Sequence, residues 1–170
     1  MRTSIVFLIV VVLSAAGNSL AENAVILDQK DAPLKIVEYK AVFTPERRST
    51  YASNPDEIRH SVKTQNVSNK SVVAYQIGLV SFDAFNGFMG KFAGWAIDTI
   101  VVDGKRDGTW SQRPYAAFSF QNYGTGVAYV NAVRFDDGTI WRADMAQVLL
   151  DLQQFEKSLK KEDLIDKKGT

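Results

Sequence analysis

Two adjacent carboxylates, Asp136 and Asp137, are the most obvious candidates for general acid–base chemistry in this sequence. Such chemistry needs two carboxyl groups that face one substrate from different environments. Here the pair precedes Gly138 and stands between two alternating segments, "VAYVNAVRF" and "IWRA". Asp-Gly between alternating strands is a strong hairpin signal, because Asp tolerates turn geometry and Gly supplies positive φ. We therefore predict a solvated turn and no catalytic role.

A second acidic segment, "DGKRDG", invites comparison with a calcium loop through Asp103 and Asp107. Calcium loops supply several oxygen ligands at fixed offsets and are usually closed by a bidentate Glu. No Glu follows here, and Lys105 and Arg106 between the two carboxylates would repel a cation. With one histidine and no cysteine, the chain also lacks the ligands of the common zinc sites. The sequence predicts no metal and no cofactor.

The single histidine, His60, alternates with Ile58 and Val62 on one face of a predicted strand. A Ser–His–acid triad is arithmetically possible because serines are plentiful, but no G-x-S-x-G motif occurs. We interpret His60 as a half-buried sheet residue and predict a protein that is not an enzyme. A hydrolase in which His60 lies beside a serine and an acid is the alternative.

An aromatic segment, "AFNGFMGKFAGWA", is the best candidate for a binding surface. Its glycine-interrupted spacing fits no regular element, so we predict a loop folded over a sheet edge. It either packs as a lid or exposes an apolar patch to a partner or ligand. The predicted binding residues are Phe85, Phe88, Met89, Phe92 and Trp95.

The three tryptophans suggest a different kind of binding site. In a small-ligand or carbohydrate-binding sandwich, Trp95, Trp110 and Trp141 would line one groove, with Gln112 and Arg113 beside them. This reading is the alternative to a protein-binding surface.

The N-terminus has the three parts of a secretory signal peptide: Arg2, an apolar run over residues 5–13, and the small residues Ser19 and Ala21. Nine apolar residues are about half of the roughly 20 that span a bilayer. We predict cleavage after Ala21 and a periplasmic or secreted protein whose mature chain has no transmembrane segment. The chain has no cysteine, so it forms no disulfide. Its net charge of +1 gives no sign of nucleic-acid binding.

Residues 22–33 are mixed and polar and are predicted to form a flexible leader after the signal peptide of residues 1–21. Residues 34–143 contain about seven short alternating segments without intervening helices, which predicts an antiparallel β-sandwich. From Asp144, a natural N-cap, the apolar spacing changes to three and four and predicts an amphipathic helix over residues 144–161. Residues 162–170 are predicted to be a disordered tail.

The stretch "VKTQNVSNKSVVAYQIGLVSFDAFNG" resembles bacterial extracytoplasmic immunoglobulin-like domains of the FxLYD and fibronectin-III-like kind. Those domains share a strand ending in Asn, a short polar turn, and a strand ending in an apolar-x-apolar-aromatic-Asp run. Asn66, the turn around Lys70, and the run from Val80 to Asp83 match, with Phe82 where the pattern usually has Tyr. The resemblance implies an immunoglobulin-like sandwich and supplies no catalytic residues. A C-terminal helix is not part of the usual domain.

These observations together predict an exported, mainly β, immunoglobulin-like sandwich with a C-terminal amphipathic helix. Its predicted function is that of a non-enzymatic binding or accessory module that contacts a protein partner of unknown identity.

Overall fold

A computed structural model describes residues 23–48, 53–114 and 120–164 of the chain. The fold is mainly β, with two packed sheets and one short C-terminal helix, as the sequence predicted. The strands are β1 (Asn23–Ile26), β2 (Leu34–Thr44), β3 (Arg47–Arg48), β4 (Ser53–Asn54), β5 (Glu57–Asn66), β6 (Val72–Asp83), β7 (Phe88–Ala96), β8 (Lys105–Gln112), β9 (Tyr123–Phe135) and β10 (Ile140–Arg142). Helix α1 (Met145–Leu152) follows, and a 3-10 turn occupies Lys161–Leu164.

The five-strand sheet has the order β1-β9-β6-β7, with β10 also paired to β9. The three-strand sheet has the order β2-β5-β8, and the short β3–β4 pair lies between β2 and β5 in the chain. All the pairs in these sheets are antiparallel except β1–β9. Buried side chains of both sheets form the inner core, to which Leu34, Ile58, Ile77, Leu79 and Val130 contribute.

The two central strands of the five-strand sheet, β6 and β9, are buried on both faces. Alternate residues of these strands enter the inner core, and those between them pack under the C-terminal segment in a second, outer core. The side chains of the outer core that come from the two strands are Val80, Phe82, Val127 and Tyr129. Phe82 therefore lies in the outer core, on the face of β6 opposite to Leu79. Gly78 makes room for its cross-strand partner Tyr129, whose ring would lie 2.2 Å from an added Cβ.

The C-terminal segment forms a third layer on the sandwich. Asp144 is the N-cap, as predicted, because its side chain accepts hydrogen bonds from the amides of Ala146 and Gln147. The helix ends at Leu152 and not at residue 161, so the lysines of residues 157–161 lie beyond it. The chain then turns back, and Leu159 and Leu164 enter the outer core. The predicted tail thus begins with an ordered 3-10 turn, and residues 165–170 lie outside the described residues.

The segment predicted as a flexible leader is part of the five-strand sheet. Residues 23–26 form β1, which pairs in parallel with residues 125–128 of β9. The side chain of Gln29 then accepts a hydrogen bond from the amide of Val130 at 2.7 Å and donates one to its carbonyl at 2.9 Å. The amide of Gln29 thereby satisfies backbone groups at an edge of β9 that would otherwise lack a strand partner. The predicted signal peptide lies outside the described residues.

The aromatic segment that the sequence predicted as a loop forms β7. The next segment, "AIDTIVVDG", is a loop after Ala96 with one isolated bridge between Ile100 and Val72, and β8 follows it. Most of "YAAFSFQNY" lies outside the described residues, although Phe120 is buried in the inner core. In the part of the chain that the structure describes, helices are too short or too polar to span a bilayer.

The third layer leads to a stability prediction with a matched control in the same helix. Leu152 is fully buried, and Leu150 is 60% exposed. Leu152→Ala should lower the free energy of unfolding by about 2–4 kcal/mol, because it removes buried methyl groups and leaves a cavity. Leu150→Ala should change it by less than about 0.5 kcal/mol. Urea unfolding of the purified protein measures both values, and equal losses would show that the helix does not pack on its own sandwich.

Candidate functional site

The acidic pair at residues 136–137 lies in the β9–β10 hairpin turn, where the sequence predicted a turn. One carboxylate oxygen of Asp137 accepts hydrogen bonds from the amide and hydroxyl of Thr139 at 2.9 and 2.6 Å. The other carboxylate oxygen lies 2.6 Å from Nζ of Lys70. The bond from Lys70 and those from Thr139 hold the pKa of the Asp137 carboxyl well below its usual range. Gly138 has a φ of 84°, which favours glycine. The carboxylate of Asp137 therefore stabilises the turn and is poorly suited to donate a proton.

The second acidic segment also has a local structural role. Asp103 has a φ of 60° in the turn before β8, and Asp107 lies on β8, 3.7 Å from the Nζ atom of Lys63. Within residues 23–48, 53–114 and 120–164, no group of three or more His, Asp or Glu side chains is arranged to hold a metal ion.

His60 is the centre of a buried polar network that links the two sheets. Its Nδ1 atom lies 2.9 Å from the hydroxyl of Tyr39, and its Nε2 atom lies 3.2 Å from Oε1 of Gln112. The hydroxyl of Ser81, on the five-strand sheet, donates to the same Oε1 atom at 3.1 Å. The ring of His60 is stacked between Tyr39 and Phe92. His60 is fully buried, whereas the sequence predicted half-burial.

Burial and the hydrogen bonds of this network together favour a neutral imidazole. Oε1 of Gln112 carries no proton, so Nε2 of His60 donates to it, and in the neutral ring Nδ1 then accepts from the Tyr39 hydroxyl. Burial lowers the pKa of His60 to about 4, although the bond to Gln112 opposes part of that shift. Gln112 also separates Ser81 from the imidazole, so the arrangement differs from a nucleophile–base pair. The network positions strands instead of activating a hydroxyl.

The five residues predicted as a binding surface do not lie together. Phe88 packs edge-on against Phe82 in the outer core, with ring centroids 6.2 Å apart. Met89 and Phe92 are half-buried against the inner core. Only Phe85 and Trp95 are largely exposed, at 91% and 69%, and they lie near opposite ends of β7. The single apolar patch expected from the aromatic segment is therefore absent, because β7 directs neighbouring side chains to opposite faces.

The tryptophan groove of the alternative prediction is not formed either. The indole nitrogen of Trp110 donates to the carbonyl of Trp95 at 3.1 Å, so these two residues adjoin. Trp141 packs against the inner core from β10, which lies at the opposite edge of the five-strand sheet from β7 and Trp95. Gln112 is buried in the network described above, and Arg113 is ion-paired with Glu57.

A different group of apolar side chains is exposed at one end of the sandwich. It lies on the loops that join β5 to β6 and β7 to β8, and we call it the loop-end surface. Its members are Val67, Ile97, Val101 and Val102, which are between 44% and 93% exposed. Solvent exposure of several large apolar side chains on adjoining loops is typical of interaction sites.

The backbone beneath the loop-end surface is fixed by Asn66. This residue is fully buried, and its side-chain nitrogen lies within hydrogen-bond distance of the carbonyls of Lys70, Ile100 and Val101, at 2.8–3.2 Å. Its side-chain oxygen accepts from the amide and hydroxyl of Ser68. One amide group therefore ties both loops together while their apolar side chains point to solvent.

Sequence reasoning missed the loop-end surface for an identifiable reason. Ile97, Val101 and Val102 belong to a β-branched apolar run, which is the usual signal of a strand. Asn66, which ends a strand in the resemblance described above, was the sequence feature that favours a loop here. An Asn side chain in this position can form hydrogen bonds with the backbone of a following turn.

Comparison with known proteins adds little to this geometry. The sequence matches no protein-family model and none of the curated proteins. Among solved structures, it is similar to Northeast Structural Genomics Consortium target SoR45, with 14% identity and a TM-score of 0.43 over 65% of this chain and 80% of that one. It is also similar to a hypothetical protein from Peptoclostridium difficile 630, with 10% identity and a TM-score of 0.46 over 72% of this chain and 92% of that one.

The neutral buried histidine predicts a specific dependence of stability on pH. An unfolded histidine titrates near pH 6.5, whereas His60 in the folded protein has a pKa of about 4. The unfolded state therefore binds more protons between these values. Stability from this source is complete above about pH 6.5 and falls by about 3 kcal/mol as the pH drops to about 4.

Unfolding free energies measured from pH 4 to 7 for the wild type and for His60→Gln would test this dependence. The carboxylates titrate in both proteins, but the variant lacks the imidazole. Its free energy of unfolding should therefore fall less steeply between pH 6.5 and 4 than that of the wild type, by about 3 kcal/mol over the range. A lower stability of the variant at every pH is expected from the altered network and is not the readout. An unchanged slope would contradict the assignment.

Proposed function

We propose that the chain is an exported, non-enzymatic binding module that contacts a protein partner through the loop-end surface. The observation that carries this proposal is the exposure of Val67, Ile97, Val101 and Val102 on loops that Asn66 holds in place. Loops that are already ordered lose little conformational entropy when a partner binds. An apolar centre of this kind is suited to the desolvated core of an interface.

The immunoglobulin-like class is part of the same proposal and is supported by the order of the strands. If β2, β5 and β8 are labelled A, B and E, and β6, β7, β9 and β10 are labelled C, C′, F and G, the sheets read ABE and C′CFG. Immunoglobulin-like sandwiches divide their strands in this manner and carry their binding loops at the ends. β1 and the C-terminal layer are additions to that plan.

The non-enzymatic part of the proposal rests on the roles of the groups that could do chemistry. Asp137 is held ionised by Lys70 and Thr139 in a turn. His60 is neutral, stacked and buried, and its two nitrogens contact Tyr39 and Gln112. Each of these groups has a structural role that explains its position.

The partner surface is tested by charge substitutions with a matched control. Ile97→Asp combined with Val101→Asp places two carboxylates in the proposed interface, whereas Val42→Asp places one on a half-exposed apolar position of the three-strand sheet. We expect a protein captured from the envelope extract of the native organism by the wild type and by Val42→Asp. The double variant should capture at least about tenfold less, because a buried unpaired charge is costly.

Thermal unfolding of each bait checks that the loop variants are folded. Equal capture by the double variant, equal loss in the Val42→Asp control, or no specific partner for the wild type would each count against the loop-end surface.

Export is tested by the mass of the processed protein. Expression of the full chain in a Gram-negative host should give a periplasmic form that begins at Glu22, immediately before β1 at Asn23. Intact-mass spectrometry and N-terminal sequencing identify that terminus. Val10→Arg breaks the apolar run and should accumulate an uncleaved cytoplasmic precursor. A wild-type chain that keeps Met1, or that is cleaved inside β1, would contradict the proposal.

A further inference from the structure

A pocket of about 230 Å³ lies where the five-strand sheet meets the C-terminal layer. Its walls come from β7, β9, β10, the first residue of α1 and the 3-10 turn. The elements are distant in sequence, so the pocket exists only because the C-terminal segment folds back onto the sheet. It is separate from the loop-end surface and shares no residue with it.

Three cationic side chains line the pocket: Lys91, Arg142 and Lys161. Nζ of Lys91 donates to the carbonyl of Leu164 at 2.8 Å, which fixes this ammonium group against the 3-10 turn. Arg142 and Lys161 belong to exposed residues, so their charges remain hydrated at the rim. Among the described residues, the lining contains no carboxylate.

The acidic residues beside the pocket are engaged by backbone amides. The carboxylate of Asp144 accepts from the amide of Ala146 at 2.9 Å as the cap of α1. The carboxylate of Asp163 accepts from the amide of Lys160 at 2.9 Å. Glu162 also follows Lys161 in the 3-10 turn and is exposed. Two of these three acids are therefore held by local turns, and the cations Arg142 and Lys161 belong to the pocket lining.

The remaining wall supplies one amide and an apolar surface. Asn131 is the extra residue of a β-bulge, because its neighbours Ala132 and Val130 pair with successive residues of β6. Bulges redirect a side chain, and here the Asn131 amide is oriented by a 2.6 Å bond to Oε1 of Gln76. Met145 and Leu164, both part of the outer core, form the apolar side.

We propose that this pocket binds a small organic anion that carries one carboxylate or phosphate group and a short apolar chain. The head group would meet Arg142, Lys161 and the Asn131 amide, and the chain would lie against Met145 and Leu164. Arginine and lysine bind carboxylate and phosphate oxygens through charge-assisted hydrogen bonds. The volume is below the roughly 300–1,000 Å³ of sites for drug-sized ligands, so the ligand is a short-chain molecule.

Met145 provides a direct probe of this site. The chain has three methionines, of which the processed form that begins at Glu22 keeps Met89 and Met145, and protein labelled with ¹³C at the methionine methyl groups gives one resonance for each. A Met145→Leu variant assigns the pocket resonance, and Met89, which packs against the inner core, serves as an internal control. Hexanoate should move the Met145 resonance saturably, with a Kd on the order of 1 mM, and leave Met89 unmoved. Hexyl phosphate, titrated in parallel, shows which head group binds more tightly.

Charge variants distinguish the proposal from nonspecific partitioning. Arg142→Gln with Lys161→Gln should weaken hexanoate binding by about tenfold or more, because two charge-assisted bonds are lost. Arg134→Gln removes an exposed arginine on β9 outside the pocket and should leave binding unchanged. The proposal is overturned if hexanol moves Met145 as much as hexanoate, if inorganic phosphate binds as tightly as hexyl phosphate, or if neither hexanoate nor hexyl phosphate moves the resonance. These outcomes are independent of partner capture by the loop-end surface.

Discussion

Burial of β6 and β9 on both faces is the constraint on which the rest of the structure depends. A sheet whose outer face carries Val80, Phe82, Val127 and Tyr129 would leave a large apolar patch in water without a cover. The C-terminal layer supplies that cover, and each large side chain it shields contributes about 1.5–3 kcal/mol. The dependence is mutual, because an isolated helix as short as α1 is marginal in water. The fold is thus a three-layer unit whose last layer stabilises its central strands.

Polar groups inside this apolar framework specify alignment. The Tyr39–His60–Gln112–Ser81 network joins the two sheets, and a relative shift of the sheets would leave buried donors and acceptors without partners. Asn66 has the same role at one end, where it fixes two loops. Apolar burial therefore supplies most of the stabilisation, while these few bonds determine which arrangement of the layers is reached and which side chains stay outside.

The sequence pattern predicted the elements that have one face in water. It did not predict the elements whose secondary structure depends on tertiary contacts. The alternation of β5, the Asp-Gly hairpin and the Asp144 cap depend on local patterns, so they were predictable. Strand β7 was missed because its glycines suggest a loop, yet Gly94 is required by the ring of Trp110, 2.6 Å from the position of an added Cβ. The loop-end surface was missed because bonds from Asn66, more than thirty residues away in the chain, keep Val101 outside any sheet. The five predicted binding residues do not form one surface, because side chains of adjacent residues on a strand point to opposite faces of the sheet.

The contact between Trp110 and β7 has a consequence for the behaviour of the protein at high concentration. β7 is the outermost strand of its sheet, and such strands tend to recruit strands of other molecules into growing aggregates. The indole N–H of Trp110 already occupies the Trp95 carbonyl on that margin, and the 3-10 turn meets the same strand through the bond from Lys91 to the Leu164 carbonyl. Part of this outer strand is therefore shielded from strand addition by a bulky ring and by the C-terminal layer.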